Sequence, residues 1–292
     1  MRSIGPYELV RKLGRGGMAE VHLAIAHGAS GFQRKVAIKT LAPELVGDHD
    51  LERALINEAT LGGKLHHRNL VSVLGLGVHD GNYYAVLEYM DGRDLASHLD
   101  GPIDEALALY VVNELALGLA HLHAARDERG LPLGLVHRDV GPANTLVSTS
   151  GDVKLGDFGI VKATALADRT GAGTRKGRYA YMAPEQLAGE AVTAAADQFG
   201  LAVTLVELVS GTRPFLAESP WALLDEIRAG AKLDLADDLE RITTHALAFS
   251  STDRYFSLVE MTEAIAEARR RRRPVSAADF GTWVGTVSKL SK

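Results

Sequence analysis

The stretch HRDVGPAN, residues 137–144, decides the interpretation of this 292-residue chain. It places a cation, a carboxylate and an amide side chain, Arg138, Asp139 and Asn144, in one short loop. Carboxylate and amide oxygens are hard ligands of the kind that hard cations prefer. Gly141 leaves the middle of the loop without a side chain. Whether the loop is catalytic depends on the motifs around it.

Those motifs follow one another in a fixed order. A single glycine turn is usually only a tight turn, and chance can supply one tripeptide, but the ordered set is a specific signal. No G-x-x-x-x-G-K-[ST] sequence occurs, so the glycines do not belong to a P-loop. The set comprises GRGGMAEV at 14–21, VAIK at 36–39, Glu58 in a helical segment, DFG at 157–159 and APE at 183–185.

Hydrophobic periodicity predicts an α+β chain with two lobes. Strand patterns and one helix over 49–65 dominate residues 1–88, which predicts a small, mainly β N-lobe with one helix. A hinge is predicted over 88–94, and a larger, mainly α-helical C-lobe over 95–268. Residues 269–292 are expected to be a basic run followed by a C-terminal tail.

The composition is that of an ordinary soluble domain, with 46% hydrophobic residues and a formal net charge of −5. The absence of cysteine excludes disulfides and thiolate metal sites. No stretch approaches the roughly 18 apolar residues that a membrane span needs. We therefore expect a cytoplasmic chain without a membrane span and without a nucleic-acid partner. The five arginines at 269–273 are interpreted as a solvated helix end, with a membrane or nucleic-acid contact as the less favoured alternative.

With these motifs the sequence resembles the eukaryotic-like (Hanks-type) serine/threonine protein kinases of bacteria over roughly residues 7–268. The resemblance implies the two-lobed protein kinase fold, in which the small N-lobe is mainly antiparallel β with one regulatory helix and the larger C-lobe is mainly α-helical. It implies transfer of the γ-phosphate of ATP to Ser/Thr hydroxyls of protein substrates in bacterial signalling. It also implies Mg²⁺, with Mn²⁺ as an alternative, and the chain itself, acting in trans, as a candidate substrate. A nucleotide-binding pseudokinase that serves as scaffold or sensor is the main rival. A small-molecule kinase is disfavoured by APE and the threonine-bearing loop.

The resemblance assigns the chemistry to a few polar side chains. Lys39 would hold the α/β-phosphates and pair with Glu58. Asp139 would accept or orient the proton of the substrate hydroxyl, while Asn144 and Asp157 would hold Mg²⁺. All of these are present, which favours an active enzyme over a pseudokinase.

The nucleotide site is likewise assigned by resemblance. The backbone of the glycine-rich turn would cover the phosphates at Gly14, Gly16 and Gly17. Four apolar side chains would sandwich the adenine, namely Leu13, Val21, Ala37 and Leu146. The hinge backbone at Glu88 and Met90 would meet the adenine edge, and the Asp94 carboxylate would bind the ribose.

Two departures from the family pattern concern the phosphate. Most serine/threonine kinases have a lysine where this chain has Gly141, and a threonine where it has Arg178. We expect Arg178 to replace part of the missing charge, because a guanidinium suits phosphate and glycine leaves it room. The competing interpretation is an Arg178 that points to solvent, with low activity. A third departure, Gly62, follows Glu58 by one turn and suggests a mobile helix.

Further matches concern the larger lobe and its regulation. Glu185 and Arg254 would form a buried ion pair, and Asp197 would anchor the catalytic loop. Arg138 would pair with a phosphate on the loop that follows DFG. The candidate phosphorylation sites are Thr174 first and Thr170 second, with Thr164 in the same segment.

Overall fold

A computed structural model describes residues 3–157 and 179–290, without the side chain of Leu290. Its described residues divide into two compact units. One comprises residues 3–67 and Val71–Met90, and the other comprises Arg68–Leu70, Asp91–Asp157 and 179–290. The first is a sheet with one α-helix and the second is mainly helical, which confirms the predicted α+β fold class.

The smaller unit is a six-stranded antiparallel sheet of order β1-β2-β3-β4-β6-β5. Its strands are β1 (Ser3–Ile4), β2 (Tyr7–Arg15), β3 (Ala19–His27), β4 (Gln33–Leu41), β5 (Val73–His79) and β6 (Asn82–Glu88). Alternate residues of β4 and β6 bury Val36, Ile38, Tyr84 and Val86 in one apolar cluster. The sheet therefore fixes β4, the strand that carries Lys39.

The turn between β5 and β6 follows from its Asp-Gly sequence. Asp80 and Gly81 both adopt positive φ, 49° and 79°. Two successive left-handed residues give the hairpin turn whose twist matches that of the strands. This turn brings β6, and with it the predicted hinge, back alongside β4.

Helix α1 (His49–Gly62) is the one α-helix of the described smaller unit. Asp48 caps its amino terminus by accepting from the amides of Asp50 and Leu51. Leu51, Leu55 and Ala59 are buried on the side that packs against β5 and β6. Glu58 directly precedes the buried Ala59, and its side chain reaches Lys39 on β4.

The larger unit combines a three-stranded sheet with seven of the described α-helices. The strands are β7 (Gly92–Asp94), β8 (Thr145–Ser148) and β9 (Val153–Leu155). The helices are α2 (Glu105–His123), α3 (Pro184–Leu187), α4 (Ala195–Ser210), α5 (Pro220–Ala229), α6 (Asp237–Ala246), α7 (Leu258–Arg270) and α8 (Ala277–Leu290).

Helix α2 corrects one expectation from the sequence. It is long and apolar enough to cross a membrane by length and composition, whereas no such stretch was expected. However, 78% of its most apolar window is buried inside the unit, as in the core helix of a globular domain. Its contacts with α4 and α7 account for the apolar side chains on nearly all of its faces.

The segment expected to be a tail after the arginine run contains helix α8. Phe280, Trp283, Val284 and Val287 recur at the spacing of one helix face. Gly281 and Gly285 lower the helix propensity of the segment, which hides this pattern in the sequence. Phe280 and Val284 are 0% and 2% exposed, so packing decides in favour of a helix.

The arginine run is also more than a solvated helix end. Arg272 forms ion pairs with Glu105 and Asp238, at 2.6 and 2.8 Å. Arg273 pairs with Asp104 at 3.1 Å. The carboxylates at the start of α2 and α6 therefore neutralise part of the run, which the sequence alone could not show.

Candidate active site

Lys39 and Glu58 form a direct ion pair in the smaller unit. The Lys39 Nζ lies 2.7 Å from Glu58 Oε1, and Lys39 is 7% exposed. Strand β4 places Lys39 between Val21 on β3 and Ala85 on β6. A buried ammonium that is paired with a carboxylate is a suitable anchor for an anionic group.

The glycine-rich turn between β2 and β3 is closed by a hydrogen bond from the amide of Gly16 to the carbonyl of Ala19, at 2.8 Å. A Cβ on Gly14 would meet no described atom within 4 Å, and one on Gly16 would meet only that carbonyl, at 3.9 Å. Packing within the described residues therefore does not explain these glycines. Close approach of a ligand to the backbone would explain them.

The apolar residues assigned to the adenine differ in their surroundings. Leu13 is 36% exposed and Val21 is half-buried, whereas Ala37 is 7% exposed. Leu146 is half-buried on β8, directly opposite Asp94 of β7. Leu13, Val21 and Ala37 belong to the smaller unit, and Leu146 belongs to the larger one.

The hinge begins with a paired contact between Glu88 and Ser72. The Glu88 amide donates to the Ser72 carbonyl at 2.9 Å, and the Ser72 amide donates to Glu88 Oε1 at 2.7 Å. The first residue of the predicted hinge is thus held to Ser72 through both its amide and its side chain. Met90 is half-buried at the end of the same unit.

Asp197 holds the catalytic loop in the larger unit. Its two carboxylate oxygens accept from the amides of His137 and Arg138, at 2.8 and 2.7 Å. Arg138 adopts a φ of 68°, a conformation that residues other than glycine rarely adopt. The buried carboxylate therefore stabilises a strained loop, and His123 Nε2 lies 2.7 Å from the same carboxylate.

A chain of hydrogen bonds brings Asp139, Asn144 and Asp157 together. The Asn144 side-chain amide donates to the Asp139 carbonyl at 2.7 Å, and the Gly156 amide donates to the Asn144 carbonyl at 2.9 Å. His137 Nε2 lies 3.1 Å from the Gly156 carbonyl. Asp157, the next residue, has a φ of 57°.

This arrangement fits a hard divalent cation. Because the nitrogen of the Asn144 amide is used by Asp139, its oxygen is the atom that remains for a ligand. The Asp157 carboxylate would supply the negative charge that a Mg²⁺ site needs.

Asp94 has a structural contact that the sequence analysis missed. Its Oδ1 accepts from the amide of Ser97 at 2.8 Å and so caps the 3₁₀ turn Leu95–His98. The pattern Asp-x-x-Ser at the end of a strand was the available signal. The cap leaves the second carboxylate oxygen for a ribose hydroxyl.

A buried ion pair braces the larger unit. Arg254 donates from Nη1 and Nη2, the two terminal guanidinium nitrogens, to the two carboxylate oxygens of Glu185, each at 2.8 Å, and Arg254 is 4% exposed. Next to Glu185, the Gln186 side chain donates to the Arg138 carbonyl at 2.9 Å. The resemblance to the kinases predicts the ion pair but not the link from Gln186 to the catalytic loop.

Gly141 faces an aromatic ring. A Cβ at this position would lie 3.4 Å from the ring of Tyr181, a close but ordinary contact. Tyr181 donates a short hydrogen bond to Glu207, and burial together with this bond raises the pKa of Tyr181. The place of the missing lysine is therefore lined by a neutral phenol.

Five residues of the segment that follows Asp157 lie outside the described residues, namely Arg178, Phe158, Thr164, Thr170 and Thr174.

Comparison with known proteins identifies the family. MasK, a tyrosine-protein kinase of Myxococcus xanthus, is 40% identical over 281 residues, which cover 92% of this chain and 43% of MasK. The serine/threonine-protein kinase PrkC of Bacillus subtilis is 34% identical over 220 residues, covering 75% of this chain and 32% of PrkC. This chain thus spans less than half the length of these relatives.

The crystal structure of the PknI kinase domain of Mycobacterium tuberculosis matches with a TM-score of 0.65 at 28% identity, covering 91% of this chain and 97% of that domain. The family model for the protein kinase domain matches residues 7–270. The chain therefore belongs to the protein kinase family, as its resemblance to the Hanks-type kinases of bacteria predicts.

Proposed function

We propose that this chain is an ATP-dependent protein kinase that phosphorylates serine and threonine hydroxyls. The observation that carries the proposal is the loop at 137–144, strained at Arg138 and held by Asp197, which keeps Asp139 and Asn144 in one hydrogen-bonded group. A chain without a reaction to perform has no need of this strain. The buried Lys39–Glu58 pair supports the same assignment.

In the proposed reaction the substrate hydroxyl oxygen forms a bond with the γ-phosphorus of ATP. The bond from this phosphorus to the β–γ bridging oxygen breaks, and ADP leaves. Asp139 accepts or orients the hydroxyl proton, and Lys39 holds the α/β-phosphates. Catalysis is then mainly positioning together with compensation of charge.

The divalent ion is proposed to be Mg²⁺, with Mn²⁺ as an alternative. Asn144 and Asp157 would hold it through their oxygens. When bound, the ion supplies positive charge that neutralises the phosphates. The phosphorylation of an activation-loop threonine in trans, with Thr174 first and Thr170 second, and a cytoplasmic location, where ATP is abundant, belong to the same proposal.

Phosphotransfer can be tested with labelled ATP–Mg²⁺, the full chain and two peptide substrates, one with serine and threonine and one with tyrosine as its hydroxyl residues. We expect label on the first peptide, and loss of this label in Asp139→Asn. Asp225→Asn is the matched control, because Asp225 is an exposed aspartate on α5. Absence of label on either peptide and on the chain itself, with nucleotide binding retained, would favour a pseudokinase.

Tyrosine phosphorylation is a second candidate function. Gly141 removes the lysine that usually accompanies serine/threonine specificity, and the relative MasK is named a tyrosine-protein kinase. Identification of the labelled amino acid decides between the two. Phosphotyrosine alone would replace the proposed specificity without removing the proposed chemistry.

A further inference from the structure

Helix α8 (Ala277–Leu290) lies beyond residues 7–270, the part that matches the kinase family. It packs against β8 and the 3₁₀ turn Leu95–His98. These neighbours adjoin two residues assigned to the nucleotide, because Asp94 of β7 pairs with Leu146 of β8. The helix thus contacts the part of the larger unit that would bind the ribose and one face of the adenine.

The contact with β8 is made by backbone on both sides. A Cβ on Gly281 would lie 2.2 Å from the carbonyl oxygen of Thr149, which directly follows β8. A Cβ on Gly151, where φ is 87°, would lie 1.9 Å from the carbonyl oxygen of Ala277. Neither glycine tolerates a side chain without movement, so the backbone of the helix and the backbone of the turn after β8 are in close contact.

Aromatic side chains hold the helix in this position. The Phe280 ring is fully buried and lies 5.1 Å from the Tyr110 ring, centre to centre. The Tyr110 hydroxyl donates to the Gly151 carbonyl at 3.0 Å, which joins the same contact. The Trp283 ring lies 6.5 Å from the ring of His98. This apolar contact fixes the face of α8 that carries Ser288.

His98 connects Ser288 with the backbone of Asp94. His98 is 3% exposed, and its Nε2 lies 3.0 Å from Ser288 Oγ. Its Nδ1 lies 2.9 Å from the carbonyl oxygen of Asp94. A carbonyl can only accept, so Nδ1 donates here. The Ser288 hydroxyl donates to the Val284 carbonyl at 2.8 Å, and its oxygen links helix α8 to the ring through the contact with Nε2. A buried imidazole with both nitrogens engaged in this way is held firmly.

We propose that Ser288 and His98 are positioning residues for ATP. Through the carbonyl of Asp94 they fix the carboxylate that would bind the ribose, so the docking of α8 raises the affinity for nucleotide. The inference rests on the proposed function, because the ribose contact of Asp94 is part of it. The segment that follows the kinase domain would thereby set the ATP concentration at which the enzyme works.

The test uses the full chain and compares Ser288→Ala with wild type. We expect the KM for ATP, and the Kd for a non-hydrolysable ATP analogue, to rise about three- to tenfold, the effect of one lost hydrogen bond, with kcat within about twofold. Ser288→Thr keeps the hydroxyl and should restore most of the affinity. Thr286→Ala is the matched control, because this exposed hydroxyl on the same helix bonds only to the Thr282 carbonyl among the described contacts.

A double variant tests whether the effect passes through Asp94. Asp94→Asn keeps an oxygen for the cap on Ser97 but weakens the ribose contact, so Ser288→Ala should change the KM little in that background. An unchanged KM and Kd in Ser288→Ala, or a fall in kcat alone, would overturn the inference. If the wild-type chain binds the analogue but transfers no phosphate from ATP, the proposed function is wrong. The Kd values of wild type and Ser288→Ala then still decide the inference. A wild-type chain that binds no nucleotide would overturn both.

Discussion

At the scale of single residues, Gly141 is the feature that most distinguishes this catalytic loop. The loop keeps Asp139 and Asn144 in place, and its anchor Asp197 is intact, so glycine has not loosened it. What the glycine removes is a positive charge near the phosphate that is transferred. Arg178, one of the residues outside the structure's described ranges, is the candidate source of a replacement.

Arg178→Ala should lower kcat by roughly tenfold or more while leaving the Kd for ATP nearly unchanged, because the lost charge acts on the transferring phosphate. Adding Gly141→Lys to Arg178→Ala should restore part of kcat, whereas Gly141→Ala, which supplies a Cβ without charge, should not. Initial rates and nucleotide titration give both quantities. Arg175→Ala is the control for charge in the same segment, and equal losses in both arginine variants would argue against the compensation.

Lys39 offers a comparison with another lysine on the same strand. Lys39→Met should reduce the rate on the order of a hundredfold, since it removes a preorganised cation and leaves Glu58 without its ion pair. Lys35→Met removes an exposed lysine of β4 and should leave the rate within about twofold. The two variants can be compared by initial rates at saturating ATP. Similar rates for both would show that Lys39 is not the phosphate anchor.

At the scale of elements, the sequence predicts what depends on local pattern and misses what depends on partners. The alternation in β4, the Asp-Gly turn and the helix that carries Glu58 follow from periodicity and turn chemistry. The cap that Asp94 makes on Ser97 and the link from Gln186 to Arg138 are side-chain contacts that periodicity does not specify. Helix α8 was missed because Gly281 and Gly285 weaken the helical signal, and of these Gly281 is needed for contact with the turn after β8.

The ion pair between α3 and the chain before α7 should dominate the stability of its neighbourhood. Glu185→Gln leaves the buried guanidinium of Arg254 without a counter-charge, so the free energy of unfolding should fall by about 3–5 kcal/mol. Urea unfolding measures this loss. Glu190→Gln is the control, as Glu190 is an exposed carboxylate close in sequence. In the double variant with Arg254→Met the losses should not add, and simple additivity would contradict the coupling.

At the scale of the whole molecule, the arginine run joins the ends of three helices in the larger unit. Arg272 reaches Glu105 at the start of α2 and Asp238 at the start of α6, while its own backbone follows α7. The sequence predicts the helices and the run, but not which carboxylates meet it, because these lie 34 and 167 residues away along the chain. The run therefore contributes to the fold of the larger unit as well as to its surface charge.

This junction makes the stability depend on pH. The hydrogen bonds from Arg272 hold the pKa of Asp238 below the ordinary aspartate pKa of about 4. The ion pair therefore stabilises the fold fully at pH values above that ordinary pKa. Its contribution is lost as the pH falls through the lowered pKa. Asp238→Asn should cost about 1–3 kcal/mol at pH 7, and the difference from wild type should shrink as the pH is lowered below 4. Asp237→Asn removes the same charge from the exposed neighbouring position and should cost much less. Urea unfolding of the three proteins at several pH values measures these differences, and a difference between Asp238→Asn and wild type that persists unchanged at low pH would show that the ion pair is not its source.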